Sequence, residues 1–92
     1  MLFGEFMIFY IFVFRSKTDV FSFIDKLKFN SVFSQTVGTP KEANVGCGLS
    51  VKVEKANFLK AKSLLSVYNF PSFFGVYKIE KQGLRQSTSK II

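Results

Sequence analysis

Two periods of apolar residues alternate along this chain, and each change of period marks an element. Ile8-Phe9-Tyr10-Ile11-Phe12-Val13-Phe14 is an unbroken aromatic and β-branched run, the pattern of a strand covered on both faces in the middle of a sheet. From Lys17 the period lengthens. Val20, Phe23, Ile24 and Leu27 follow the i, i+3, i+4, i+7 spacing of one buried helix face, with Lys17, Asp25, Lys26 and Lys28 left to water. This predicts a helix over Lys17–Phe29, N-capped by Ser16, with Asp19 opposing the helix dipole in the first turn and Asn30 and Ser31 ending it. Val32–Val37 is β-branched, with Ser34 and Thr36 on one wet side, and predicts an edge strand. Gly38-Thr39-Pro40 stops it, because proline offers no backbone donor and biases Thr39 toward extended geometry. Lys41–Gly46 then reads as a loop with room for one short helical turn. Leu49–Glu54 alternates strictly, as a strand with one buried face does. Asn57–Tyr68 returns to helical spacing through Phe58, Ala61, Leu65 and Tyr68, and after a turn at 69–72 Phe73–Ile79 reads as a last strand.

The resulting order predicts an α+β protein: a ferredoxin-like βαββαβ two-layer sandwich, with two helices on one face of a four-stranded sheet whose first and third strands are central. Residues 7–80 form the expected single domain. Residues 1–6 are expected to be an upstream extension, since Gly4 and Glu5 permit a purine-rich ribosome-binding sequence just ahead of Met7. Residues 81–92, polar, basic and aperiodic, are expected to be a disordered tail. The apolar opening is shorter than the roughly 20 residues of a spanning helix and contains Glu5. It also lacks the leading positive charge and the small-residue cleavage site of a signal peptide. No membrane partner is expected, and the expected location is the cytoplasm.

Thirteen phenylalanines among 92 residues supply ample core. One cysteine excludes an internal disulfide and a cysteine-cluster zinc site, and it suits a reducing compartment. Histidine is absent, which removes cysteine–histidine and serine–histidine nucleophile pairs from the possible chemistries. No cofactor or metal is assigned, because the six scattered acidic residues lack the spacing of a calcium loop. The net charge of +7 draws three cations from the tail residues Lys81, Arg85 and Lys90. The rest of the chain carries the balance of an ordinary solvated surface rather than a nucleic-acid footprint.

These exclusions leave the intrinsic chemistry of one thiol. Cys47 lies in the stretch Val37–Val51, which also holds three of the six glycines and one of the two prolines. Gly46 and Gly48 remove side-chain bulk on both sides of it, so an accessible thiol is expected, within an amide concavity that favours a thiolate or persulfide anion. Lys41 on the same loop and Arg15 after the first strand are the candidate cations. Pro40 acts as the strand stop. Against this stands the plainer reading of a lone cysteine as a small buried hydrophobe.

Thr39-Pro40-Lys41, a short spacer and then Cys47-Gly48-Leu49-Ser50-Val51-Lys52-Val53 resemble the bacterial selenium/sulfur-carrier-like family, long catalogued as a domain of unknown function. The likeness runs from about Ile8 to Lys78, and its specific part is confined to residues 39–48. Lys41 stands where that family usually has arginine, and Ala43 and Asn44 stand where its spacer has serine. The resemblance implies a small thiol carrier, not a turnover enzyme, that holds sulfur or selenium as a persulfide on Cys47. Its partners would be a donor such as a cysteine desulfurase and an acceptor enzyme. A protein- or RNA-binding module in which Cys47 is incidental, and a redox sensor forming mixed disulfides, are the competing readings.

Overall fold

The computed structural model describes residues 6–45 and 47–92. Strand β1 (Phe6–Phe14) is apolar on both faces, and the fold is built around it. Tyr10, Phe12 and Phe14 enter one core, while Phe9, Ile11 and Val13 enter a second on the opposite face, as the period of two in a strand requires. A strand with no face for water must also have neighbours at both edges. It pairs antiparallel with β3 (Leu49–Glu54) on one side and with β4 (Phe73–Gln82) on the other. β2 (Gln35–Gly38) adds to β3, and β5 (Arg85–Lys90) adds to β4, giving the order β2-β3-β1-β4-β5 with every pair antiparallel.

The fifth strand overturns the four-stranded ferredoxin-like sandwich expected from the sequence, although the class remains α+β. The same finding overturns the disordered tail at 81–92, because β4 runs on to Gln82 and β5 follows it. The physical reason is that a ladder joins main-chain groups, so a polar, aperiodic segment can complete it without burying side chains. Gly83, at φ 61°, opens the two-residue Gly83-Leu84 connection, where a hairpin turn needs positive φ. A main-chain bond from the Ile91 amide to the Val76 carbonyl, 2.9 Å long, continues the attachment. The expected upstream extension, residues 1–6, lies outside the described residues except for Phe6, which pairs with Gln82 at the end of β1.

Helix α1 (Lys17–Phe29) begins where the cap predicts: the Ser16 hydroxyl accepts from the Asp19 amide at 3.2 Å. Its far end closes in a Schellman arrangement. The Ser31 amide donates to the Lys28 carbonyl and the Val32 amide to the Leu27 carbonyl. Val32 is thereby drawn into the helix-side core and out of the expected strand, which shortens β2 to four residues. Ser31 takes the left-handed conformation at φ 60° that this motif usually assigns to glycine. Ser31→Gly is therefore expected to stabilise the protein by about 0.5–1 kcal/mol, raising Tm by about 2–6 °C. Thermal unfolding followed by circular dichroism measures this, and an unchanged or lowered Tm would count against the conformation.

A single 3-10 turn, Lys55–Asn57, leads into α2 (Phe58–Val67). Val20, Phe23 and Leu27 of α1 and Ala61 and Leu64 of α2 share one core with Tyr10, Phe12 and Phe14, so both helices lie against the same face of the sheet. Among the described residues no helix covers the other face. There Ala43 and Val45 from the connection before β3, together with Phe74, lie over Phe9, Ile11, Val13, Tyr77 and Ile79. The stems of long cationic side chains complete the cover: the Lys52 ammonium sits 4.2 Å and the Lys81 ammonium 5.8 Å from the Phe9 ring, and Arg15 and Lys90 lie 5.1 and 5.0 Å from the Phe74 ring. Gly75 admits the chain end onto this face, because a Cβ there would meet the Lys90 Cε at 2.7 Å and the Ile92 carbonyl at 2.8 Å.

Candidate functional site

The connection from β2 to β3 crosses the end of the sheet. Pro40 leaves β2 and opens a short 3-10 turn, Lys41–Ala43, whose Ala43 amide donates to the Pro40 carbonyl at 3.0 Å. Asn44 follows at φ 49°, in the left-handed region that asparagine tolerates better than most residues. Ala43 and Val45 pack on the helix-free face, whereas Cys47 packs into the helix-side core. Val45 and Cys47 thus pack against opposite faces of the sheet.

Thr39 ties the two ends of this connection together. Its amide donates to the Gly48 carbonyl at 3.1 Å, and its hydroxyl donates to the Cys47 carbonyl at 3.0 Å. With the Thr39 proton engaged there, the Ser50 hydroxyl 2.7 Å away is the donor to Thr39 Oγ1. That bond satisfies Ser50, which is wholly buried. Neither hydroxyl was singled out as a site residue from the sequence. The available signal was a hydroxyl residue on each side of the Cys47 loop, Thr39 at the strand stop and Ser50 in the strand that follows.

Cys47 itself is 6% exposed, and its thiol points toward the Leu49 carbonyl at 3.5 Å. The accessible thiol expected from the flanking glycines is corrected by this burial. Its cause lies in the strand phase: Cys47, Leu49, Val51 and Val53 are alternate residues, and that phase faces the helices. Gly48 has no positive φ, and a Cβ there would meet nothing within 4 Å, so neither strain nor crowding requires glycine at 48. Gly46 lies outside the described residues.

The two candidate cations are not brought to the sulfur. The Arg15 guanidinium lies over Phe74, which packs on the helix-free face. Lys41 is exposed and lines a groove on that same face with Phe9, Ile11 and Ile79. Cys47 and these cations are therefore on opposite sides of the sheet. Among the described residues no three histidine, cysteine, aspartate or glutamate side chains gather as a metal site would need, and no helix is long and apolar enough to cross a membrane.

Residues 9–73, from β1 through both helices to the first residue of β4, match the protein family described as "Putative Se/S carrier protein-like". The chain belongs to this family. The match takes in the whole Thr39–Gly48 connection and the only cysteine, while nearly all of β4 and the whole of β5 fall beyond it. No curated protein and no solved structure matches the chain. For this member of the Se/S carrier-like family, the chemistry on offer at the site is that of one thiol, packed in the helix-side apolar core at the end of a connection anchored by Thr39.

Proposed function

We propose that the protein is a small cytoplasmic carrier that holds one sulfur or selenium atom on Cys47. The observation that carries this reading is the placement of the chain's only thiol: within the family-matched span, just before β3, packed in the helix-side apolar core. A persulfide is consumed by other thiols and by oxidants, and burial that excludes both keeps the cargo between donor and acceptor. Loading follows ordinary thiol exchange. The Cys47 thiolate attacks the outer sulfur of a donor enzyme's persulfide, a new Sγ–S bond forms, the donor's S–S bond breaks, and the donor cysteine leaves as its thiolate. Unloading is the same step with an acceptor thiolate as nucleophile and Cys47 as leaving group. No outside oxidant is needed in either direction. Selenium would travel by the same exchange from a donor perselenide.

Burial demands that the connection open before either exchange. Thr39 anchors its two ends, and within it the sulfur is held by one weak bond to Leu49 and by packing, so the opening is local. The same burial favours one other reading, a binding module in which Cys47 is a core residue. Incubation with a cysteine desulfurase and L-cysteine, followed by intact-mass measurement without reductant, separates the two. The carrier gains one sulfur on the wild type and none on Cys47→Ser or Cys47→Ala. No gain on the wild type, or equal gain on all three, would refute it.

A further inference from the structure

We propose that the helix-free face of the sheet docks an acidic segment of a partner protein, and that its occupancy releases Cys47. The release rests on the carrier reading; the docking does not.

A groove of about 290 Å³ runs between the turn after Pro40 and the β4–β5 hairpin. Phe9, Ile11 and Ile79 lie buried beneath it, and Lys41 and Lys81 stand at its walls, with Glu42 the one acidic residue lining it. Charge on the wider face has the same sign. Lys52 and Lys81 cover Phe9, Arg15 and Lys90 cover Phe74, and the register of β3 with β1 sets Glu54 beside Phe9, where it lies 3.8 Å from Lys52. Five cations thus face two carboxylates around an apolar centre. Such a surface attracts a segment whose carboxylates meet the ammonium groups. The arrangement favours a peptide over nucleic acid. Each aromatic ring that a base would stack on already carries two cations, and Phe9 is 7% exposed.

The groove reaches the thiol through the chain itself. Pro40 and Lys41 form one wall, Ala43 and Val45 lie on the same face, and Cys47 follows at once on the other side of the sheet. A segment that displaces this turn pulls on the residues that hold Cys47 in the core.

The probe is a short fluorescein-labelled peptide of alternating glutamate and glycine, with binding read by anisotropy. Saturable binding is expected, weakened at least about tenfold in K41E/K81E and retained in K60E/K62E, which makes the same charge change on the exposed surface of α2. Saturating peptide is expected to speed alkylation of Cys47 by iodoacetamide at least about fivefold, as release from a local closed state requires. No binding, equal loss in both double variants, or tighter binding of a uridine-rich oligonucleotide overturns the docking face, and an unchanged alkylation rate overturns the release. Sulfur loading is read separately by mass. Lost peptide binding with intact loading therefore overturns the docking face alone, and intact binding with no loading overturns the carrier reading alone.

Discussion

Iodoacetamide is expected to modify Cys47 in the folded protein on the order of 100-fold more slowly than in a peptide spanning residues 45–49, because attack on a buried sulfur must wait for local opening. The thiol is 6% exposed, and its hydrogen is directed at the Leu49 carbonyl. A peptide of the same local sequence has the same flanking residues but no helix-side core above it, so the ratio reports the burial of the thiol alone. Thr39→Val should narrow that ratio by about tenfold, since it removes the hydroxyl tie to Cys47 and leaves the buried Ser50 hydroxyl without its acceptor, a defect worth about 1–3 kcal/mol. The measurement is the rate of mass gain under excess reagent. Rates within about threefold of the peptide would mean the thiol stands open to solution.

Phe12→Ala is expected to cost about 3–5 kcal/mol, the range for emptying a fully buried aromatic site. Phe12 is completely buried, with its ring 5.1 Å from that of Phe23 in α1 and 6.1 Å from that of Phe58 in α2. It therefore joins the central strand to both helices, and no single neighbour can fill the space it leaves. Domains of this size are stable by only about 5–15 kcal/mol, so the variant should sit near the edge of folding at room temperature. Phe12→Leu keeps most of the volume and should lose less than about 1.5 kcal/mol. Phe29→Ala, at a position 82% exposed, should change stability by no more than about 0.5 kcal/mol. Urea unfolding of the three variants checks the order, and a loss below about 1 kcal/mol for Phe12→Ala would show that the core collapses around the site.

The parts legible in the sequence are those whose cause is local. The run from Ile8 to Phe14 could only be a strand covered on both faces, and β1 is buried from Phe9 onward. Ser16 and Asp19 stand three residues apart, as a cap requires, and they make the bond. The short helical turn allowed for in the loop is present at Lys41–Ala43. Less legible was the fate of Val32, because its β-branched side chain fits a strand and also fits the apolar position that closes a helix end. The tail departs from expectation for a different reason. Its side-chain composition points to disorder, whereas Gly83-Leu84, flanked by residues that can extend, is itself a turn signal.

For Cys47 the evidence in the sequence was divided between its neighbours and its phase. Gly48 suggested exposure, but the alternation Cys47, Leu49, Val51, Val53 carried the information that prevailed. Likewise, Lys41 and Arg15 are near Cys47 along the chain or by strand adjacency, yet each belongs to the helix-free face. Adjacency in a sheet says nothing about side, and a side chain on one face is separated from one on the other by the sheet itself.

Sequence alone determined the elements and the chemical inventory: a central apolar strand, two amphipathic helices, one thiol and no imidazole. These follow from periodicity and composition, which act over a few residues or none. Only the tertiary structure decided which face of the sheet the helices cover, and hence that Cys47 is enclosed while the cations gather opposite it. It alone also decided that the polar end of the chain joins the sheet as β5. Both outcomes depend on long-range partners: on the apolar surface that meets each strand face, and on a main-chain ladder that is indifferent to side-chain polarity.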